Sequence, residues 1–204
     1  MIKTFSSRAG RLSSTNKYFL NLNSNSLISP ETKIKTNYPI VLDIGFGDAQ
    51  SFKQDVLNNK KFCFVGIEPY KKGFAKAVEF YEIEKPKNLF LYNGDAREFL
   101  EAINYEVSFI RIHFPDPWPK KKHIKRRLIS QNFLDLLNKK ISETGKIEII
   151  TDSKIYQDHI EDVLHKQKIF KQIESFEISY EVSTFHNKAL KKGHKIKRFV
   201  LTKA

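Results

Sequence analysis

The sequence predicts an α/β protein with a mostly parallel sheet, helices on both sheet faces and a closing antiparallel strand pair. From Pro39 onwards, short apolar runs alternate with amphipathic stretches, which is the pattern of strand–helix–strand units. Two later runs, at residues 170–180 and 195–201, indicate the antiparallel pair. The chain has 204 residues, 40% of them hydrophobic, which suits one full core and leaves little room for a second complete domain.

The alternation predicts parallel strands and crossover helices in turn between residues 39 and 167. The strands are predicted at residues 40–44, 62–67, 88–92, 107–113 and 146–151. The helices are predicted at residues 49–58, 71–82, 96–103, 127–141 and 156–167. In the fourth helix, Leu128, Phe133 and Leu137 recur at helical spacing. Right-handed crossovers then cover both faces of the sheet.

The first 38 residues differ from the rest because they are rich in Ser, Thr, Asn and Lys and show no sustained period. We interpret residues 1–38 as a basic arm that leads into a folded domain at 39–204. The basic residues of the arm are Lys3, Arg8, Arg11 and Lys17. A disordered tail is the alternative, and polarity alone does not separate the two.

The charge balance indicates a polyanionic partner. Lys and Arg number 36 against 23 Asp and Glu, which gives a net charge of +13. A surplus of this size is typical of proteins that bind nucleic acid. The alternative, that the basic surface serves only solubility, stays open.

Cysteine usage and hydropathy predict a soluble cytoplasmic protein without metal. Cys63 is the only cysteine, so a disulfide within the chain and a cysteine-based metal cluster are excluded. The amino-terminal stretch lacks the apolar run of a secretory signal, and about 18 consecutive apolar residues occur nowhere. His113 and His123 lack a plausible set of further metal ligands.

The first predicted strand ends in a glycine turn, Asp43-Ile44-Gly45-Phe46-Gly47. Two glycines one residue apart allow a tight turn and a close approach of a ligand to the backbone. A dinucleotide-binding turn needs a third glycine where Gln50 stands, and it would bring Asp48 close to a pyrophosphate. A positively charged sulfonium compound suits the carboxylate of Asp43 better, which favours S-adenosylmethionine over a nicotinamide cofactor.

The second and third predicted strands also end in acidic residues. Glu68 follows the second strand, where a carboxylate accepts hydrogen bonds from both ribose hydroxyls of a nucleoside. Asp95 follows the third strand, where it is suited to read the exocyclic amine of adenine. Asp95 also suits the N-cap of the helix that starts at Ala96, and the two roles are compatible.

The fourth predicted strand leads into the most informative segment of the chain. Prolines at alternate positions, Pro115, Pro117 and Pro119, stiffen the backbone around Asp116 and Trp118. Six cationic residues follow between positions 120 and 127, which favours phosphate contacts next to a cofactor cleft. Trp118 either supports the proline segment or stacks near a base, and both roles stay open.

The chain resembles the bacterial tRNA (guanine-N7-)-methyltransferases, the TrmB family, over nearly its whole length. The resemblance is carried by Arg8-Ala9-Gly10-Arg11-Leu12, Asp43-Ile44-Gly45-Phe46-Gly47, Gly66-Ile67-Glu68, Asn93-Gly94-Asp95-Ala96, Pro115-Asp116-Pro117-Trp118-Pro119-Lys120 and Thr151-Asp152. It implies a Rossmann-like class I S-adenosylmethionine-dependent methyltransferase fold. It also implies S-adenosylmethionine as cofactor and tRNA as partner, with methylation at N7 of guanine 46 in the variable loop.

The resemblance also implies roles for individual residues. Asp116 takes the catalytic role, and cofactor contacts fall to Asp43, Gly45, Gly47, Glu68, Asp95, Ala96 and Asp116. Substrate contacts fall to Lys120, Asp152, Ser183, Thr184, Phe185 and His186, and we expect Arg8 and Arg11 to contact tRNA phosphates. Three positions depart from the family pattern. The family often has Glu at the position of Asp43 and Gly at the position of Ala49, and it has Glu at the position of His186. The last change removes a carboxylate from guanine recognition.

Guanine N7 carries a free lone pair, so its attack on a methyl group needs no prior deprotonation. Catalysis is therefore expected to rest on alignment and on Asp116, which balances the charge that grows on the ring. Methylation of another RNA guanine or of DNA, and a non-enzymatic RNA-binding relative, stay open as alternatives. Monomer and homodimer are equally compatible with the sequence.

Overall fold

The computed structural model of the protein describes residues 2–5 and 10–204. These residues form one sheet of seven strands in the order β3-β2-β1-β4-β5-β7-β6. The strands are β1 (Ile40–Ile44), β2 (Cys63–Ile67), β3 (Leu89–Tyr92), β4 (Val107–His113), β5 (Ile141–Thr151), β6 (Phe170–Ile173) and β7 (Lys197–Lys203). Strands β1 to β5 pair in parallel, whereas β7 runs antiparallel to both β5 and β6. The predicted parallel sheet with its antiparallel close is confirmed.

Helices connect the strands and cover the sheet. They are α1 (Ser14–Asn21), α2 (Gln50–Asn58), α3 (Lys71–Glu84), α4 (Ala96–Ala102), α5 (Gln131–Lys140), α6 (Lys154–Lys166) and α7 (Thr184–Lys191), with a 3₁₀ helix at Lys121–Arg126. Among the described residues, no helix has the length and apolar character that crossing a membrane requires.

The core has two parts because successive strand residues point to opposite sheet faces. On one face Leu42 and Ile110 pack with apolar residues of α4, α5 and α6. On the other face Val41 packs with apolar residues of α2 and α3, such as Phe52 and Phe74. Strands buried on both sides read as continuous apolar runs, which explains why their positions are predictable.

Most observed boundaries lie within two residues of the predicted ones, but the starts of β5 and α5 differ by four or more. Strand β5 begins at Ile141 rather than at residue 146. Its first half contains the polar stretch Ser142-Glu143-Thr144, which lacks the apolar pattern by which the other strands were predicted. Helix α5 begins at Gln131 rather than at residue 127, because Ser130 accepts a hydrogen bond from the Phe133 amide and caps the helix.

The amino-terminal segment contains a helix that the sequence did not predict. Helix α1 is capped by Ser13, whose side chain accepts from the Asn16 amide while Asn16 bonds back to Ser13. This helix packs on α3, and the buried Ser24 donates to Glu82 at 2.5 Å. The described part of the segment is thus anchored to the sheet domain, and the division at residue 38 stays a prediction.

Helix α7 is a second element without a predicted counterpart. It is short and only Ala189 is buried, so it has no apolar period for the sequence to display. Strand β6 is also shorter than predicted, since it ends at Ile173, while Phe176 and Ile178 leave the sheet and pack on the α2 and α3 face.

Candidate functional site

A cavity of about 340 Å³ opens at the carboxyl ends of β1, β2 and β4. Its size lies within the roughly 300–1,000 Å³ that small-molecule sites span. The cavity walls come from the ends of three strands, from the start of α4 and from the amino-terminal segment. The lining residues include Thr4, Phe5, Gly45, Gly47, Glu68, Ala96, His113, Asp116 and Phe185. The site thus forms where an open parallel sheet is expected to bind ligands.

The turn after β1 adopts the conformation that its glycines permit. Gly45 and Gly47 have φ values of 78° and 68°, and Ala49 follows at 63°. Ala49 is buried in this left-handed conformation, which a glycine adopts without steric cost. Gly73 on α3 lies so close to the turn that a Cβ there would be 1.6 Å from the Gly47 carbonyl oxygen. The glycine turn and helix α3 are therefore in direct backbone contact.

Glu68 is buried on the cavity wall, where backbone amides hold its carboxylate. The Gly47 amide donates to Oε2 at 2.6 Å and the Tyr70 amide donates to Oε1 at 2.7 Å. Burial raises the pKa of Glu68 to about 7, and these hydrogen bonds oppose the shift only in part. The carboxylate thus retains acceptor capacity at the point where the sequence predicts ribose contact.

Asp95 caps α4, as one of its two predicted roles requires. Its Oδ1 accepts from the Arg97 amide at 2.9 Å, and its Oδ2 forms an ion pair with Arg97 at 2.5 Å. Arg97 also donates to the Ile2 carbonyl oxygen at 2.7 Å. Ala96 lines the cavity, whereas Asp95 lies just behind it. The adenine contact of Asp95 stays a prediction.

Asp43 does not stand alone at the strand end. It is buried in an ion-paired triad with Arg111 of β4 and Asp55 of α2, in which Asp55 lies 2.7 Å from the guanidinium. Burial raises the pKa of Asp55, although Arg111 counteracts the effect. Asp43 and the rest of the triad line a second, smaller cavity next to the first. Sequence reasoning missed Arg111, whose signal is a single charge within an otherwise buried apolar strand.

The proline segment carries backbone strain next to the cavity. Phe114 and Trp118 both precede a proline, and both have positive φ values of 51° and 42°. Bulky residues in this region are outliers that the surrounding structure must hold in place. Arg127 supplies part of that support, because its Nε donates to the Pro117 carbonyl oxygen at 3.0 Å. Asp116 and Pro115 lie on the cavity wall as a result.

Trp118 supports the proline segment and the amino-terminal segment. Its Nε1 donates to the Thr4 carbonyl oxygen at 2.8 Å. The Arg126 guanidinium lies 4.7 Å from the indole ring, which is a cation–π distance. Arg127 is buried and bonded to the carbonyl oxygens of the segment, and its predicted phosphate contact stays a prediction. By contrast, Lys121 and Lys122 of the same cationic run are exposed.

A second buried polar group lies beside the triad. His113 Nε2 is 2.7 Å from Glu148 Oε2, and Arg198 donates to Oε1 of the same carboxylate at 2.6 Å. Glu148 is fully buried, and its hydrogen bond to His113 and the adjacent Arg198 lower its pKa against the effect of burial. The His113 ring packs edge-to-face against Tyr180, with the ring centroids 4.9 Å apart, and it lines both cavities. Sequence reasoning considered His113 only as a metal ligand.

The predicted substrate segment begins helix α7. Ser183 caps the helix by accepting from the His186 amide at 3.1 Å, and Thr184 donates to Asp48 at 2.9 Å. Phe185 lines the larger cavity. Burial lowers the pKa of His186, and the nearby His113 lowers it further, which favours a neutral ring.

Three of the remaining predicted residues, Lys120, Asp152 and Arg11, line neither of the two cavities. Lys120 is exposed at the start of the 3₁₀ helix, and Asp152 bonds to His194 at 2.8 Å beyond the end of β5. Arg11 is exposed on the amino-terminal segment. Arg8 lies outside the described residues. Contacts of these residues with a substrate stay predictions.

Comparisons with known proteins agree on one class. A family described as putative methyltransferase matches residues 37–199. A tRNA (guanine-N(7)-)-methyltransferase of Wolbachia pipientis wMel is 38% identical over 176 residues, which cover 86% of this chain and 80% of the relative. Its counterpart in Buchnera aphidicola subsp. Schizaphis graminum is 30% identical and aligns with 95% of this chain and 88% of its own.

The fold is also that of solved methyltransferases. The structure of an rRNA methylase from Streptococcus thermophilus aligns with a TM-score of 0.56 and 10% identity over 82% of this chain and 87% of that one. At that identity the likeness concerns the fold alone. It confirms the predicted Rossmann-like methyltransferase architecture.

Proposed function

The chain belongs to the tRNA (guanine-N7-)-methyltransferase family, and on that premise we propose that it methylates N7 of guanine 46 in the variable loop of tRNA. The observation that carries the proposal is the cavity at the strand ends, which is lined by buried Glu68, the glycine turn and the strained Asp116 segment. The residue predicted to contact the ribose and the residue predicted to be catalytic thus line the same cavity.

S-adenosylmethionine is the proposed methyl donor, and when bound it supplies a methyl group on a positively charged sulfonium. Glu68 is suited to accept from the ribose hydroxyls, because its carboxylate is fixed by two amides and faces the cavity. Ala96 at the adjacent strand end is suited to lie against the adenine. The positive φ values at Gly45 and Gly47 bring backbone rather than side chains to the ligand.

Asp116 orients the guanine and balances its charge. Methylation at N7 leaves a positive charge on the purine, and a fixed carboxylate at the cavity wall stabilises that charge as it develops. The strained backbone on either side of Asp116 is consistent with a preorganised group, since strain of this kind persists only where neighbours hold it. No general base is required, so alignment and electrostatics carry the reaction.

Exposed cations next to the cavity form the proposed docking surface for tRNA. Lys120, Lys121, Lys122 and Lys125 lie on and before the 3₁₀ helix that follows the proline segment. The half-buried Arg126 lies among them, against the Trp118 ring. With a net charge of +13, the protein is suited to bind a polyanion by phosphate contacts. We expect the protein to act on this substrate in the cytoplasm, and both a monomer and a homodimer are compatible with the proposal.

The direct test is incubation of total tRNA with labelled S-adenosylmethionine and the purified protein, followed by digestion and nucleoside analysis. We expect label in N7-methylguanosine at the variable loop. Label in another guanosine, or in DNA, would support a different methyltransferase instead. Binding of tRNA without any transfer would identify a non-enzymatic relative.

A further inference from the structure

The amino-terminal residues 2–5, here called the strap, supply part of the wall of the larger cavity. Thr4 and Phe5 line this cavity together with residues at the ends of β1, β2 and β4. The sequence predicted phosphate contacts for the amino-terminal arm, at Arg8 and Arg11, and no contact with the cofactor. The structure thus brings the strap to a site that its sequence does not indicate.

Two hydrogen bonds to backbone oxygens hold the strap in this position. Arg97 Nη2 donates to the Ile2 carbonyl oxygen at 2.7 Å, and Trp118 Nε1 donates to the Thr4 carbonyl oxygen at 2.8 Å. Both donors are side chains of the sheet domain, and both acceptors belong to the backbone of the strap. The strap is therefore attached at two points, and these attachments leave the side chain of Phe5 available for other contacts.

The two donors also connect the strap to residues that are predicted to bind the methyl donor. Arg97 forms an ion pair with Asp95 at 2.5 Å, and Asp95 caps α4 just behind the cavity. Trp118 follows Asp116, which lines the cavity, by two positions. Because both attachments lie beside predicted cofactor contacts, they favour the methyl donor over tRNA as the ligand that the strap covers.

Phe5 is the side chain of the strap that is suited to contact this ligand. Its ring is half-buried, and it belongs to neither part of the hydrophobic core of the described residues. A ligand that covers the ring removes its remaining apolar surface from water, which stabilises both the ligand and the strap. Phe5 thus gains burial from a ligand in the cavity that the core does not provide.

The strap also has the properties of a segment that can open. Ile2 and Lys3 are exposed, so the strap contributes few buried apolar contacts. Segments of this kind open at a small fraction of the free energy of global unfolding. A wall that opens lets a ligand enter and leave, and it encloses the ligand when it closes.

We propose that the strap closes over the bound methyl donor, that Phe5 packs on the donor, and that Arg97 and Trp118 are positioning residues that hold the strap closed. This inference rests on the proposed function and extends it to the exchange of the cofactor. Opening of the strap then controls the rates at which S-adenosylmethionine enters and S-adenosylhomocysteine leaves.

Phe5→Ala tests the packing without any turnover. Calorimetry gives its affinity for S-adenosylhomocysteine, and stopped-flow fluorescence gives the rates, because Trp118 is the only tryptophan and contacts the strap. We expect the affinity to fall about fivefold or more, the scale on which a stacked aromatic ring contributes. Most of this loss is expected in a faster dissociation, since Phe5 contacts the ligand only when the strap is closed.

Tyr38→Ala is the matched control. Tyr38 is an exposed aromatic residue just before β1, and it does not line the larger cavity. Its replacement is expected to change the affinity and both rates by less than about twofold. A loss equal to that in Phe5→Ala would assign the effect to a general property of the fold and overturn the inference.

Trp118→Phe tests the positioning role, because it removes the N–H donor and keeps an aromatic ring. Exchange of radiolabelled S-adenosylhomocysteine, followed by rapid filtration, gives the rates in this variant. We expect association and dissociation both to rise about threefold, the scale of one hydrogen bond, since the strap opens for entry and for exit. A weaker affinity with an unchanged association rate indicates a structural role alone and contradicts the positioning role.

The outcomes separate this inference from the proposed function. Unchanged affinity and dissociation in Phe5→Ala overturn the inference and leave the proposed function intact. Weaker tRNA binding with unchanged binding of S-adenosylhomocysteine assigns Phe5 to the RNA site and overturns the inference as well. Failure of the wild-type protein to bind S-adenosylmethionine and S-adenosylhomocysteine overturns the proposed function itself.

A crystal structure of the wild-type protein with S-adenosylhomocysteine decides the matter if Phe5→Ala does not fold. A Phe5 ring in van der Waals contact with the ligand supports the assignment. A ring turned away from the ligand overturns it.

Discussion

Glu68 is a carboxyl group whose protonation state changes near neutral pH. Its pKa of about 7 results chiefly from burial beside the glycine turn. A raised pKa means that the folded protein favours the neutral acid. The contribution of Glu68 to stability is therefore fully present below its ordinary pKa of 4.5 and is lost as the pH rises towards 7.

Cofactor binding is expected to follow the opposite trend. Ribose hydroxyls donate to the carboxylate, so binding requires the ionised form of Glu68. With a pKa of about 7, affinity for S-adenosylhomocysteine is expected to rise about tenfold between pH 6 and pH 8. Calorimetry across this range measures the effect. Glu68→Gln is expected to bind more weakly and to lose this pH response, and a response that persists unchanged in the variant assigns it to another group.

Asp116 is expected to act on the reaction more than on cofactor retention. In Asp116→Asn the shape is kept and the charge is lost, so kcat is expected to fall roughly 100-fold, the scale on which a single electrostatic group acts. Single-turnover methylation of tRNA gives the rate, and titration with S-adenosylhomocysteine gives the affinity. Asp162→Asn, at an exposed site on α6, serves as the control. Full turnover with unchanged affinity in Asp116→Asn contradicts the assigned role.

Elements were predictable where burial imposes a simple pattern. Strands β1 and β4 occur at their predicted bounds, because both faces of a central parallel strand are covered. Helices α1 and α7 were not predicted, since α1 buries only Asn16 and α7 only Ala189. Their positions depend on caps and on contacts with distant residues, which a local pattern does not encode.

The candidate site was predictable only in part, for a related physical reason. The carboxyl ends of the strands can be recognised in the sequence by a glycine or an acidic residue, such as Gly45 and Glu68. Contacts between residues on different elements cannot be recognised in this way. Arg111 contacts Asp43 because of the β1–β4 register, and it contacts Asp55 because α2 packs on the sheet. The Glu148–His113 pair depends in the same way on the neighbouring β4 and β5.

The segment around the 3₁₀ helix is expected to dominate the salt dependence of tRNA binding. Each phosphate contact contributes roughly 0.7–0.9 to the slope of log K against log salt. Replacing Lys120, Lys121 and Lys122 together with alanine is thus expected to lower the slope by roughly 2–3. Filter binding over a range of salt concentrations measures it.

A matched variant can be made at the opposite ends of the parallel strands. Lys60, Lys61 and Lys87 are exposed before β2 and β3, at the ends of the strands that point away from the cavity. Their joint replacement removes the same charge and is expected to change the slope less. Equal changes in both triple variants indicate that overall charge, not this segment, governs binding.

For the molecule as a whole, ligand binding is expected to appear as thermal stabilisation. A ligand at 100 times its Kd stabilises the folded state by about 2.7 kcal/mol. For a chain of this size, that corresponds to a rise in Tm of roughly 5–11 °C. S-adenosylhomocysteine is expected to produce this rise in a fluorescence melt. NAD is expected to produce none, and the reverse result would revive the nicotinamide alternative.

The contact between Gly73 and the Gly47 carbonyl oxygen makes the glycine turn and helix α3 one mechanical unit. A turn that shifts as a ligand enters has no intervening side chain to absorb the movement, because a Cβ at Gly73 has no room. Helix α1 packs on α3, so a displacement of the turn is expected to move α1 as well. We therefore expect the position of the amino-terminal helix to depend on whether the pocket is filled.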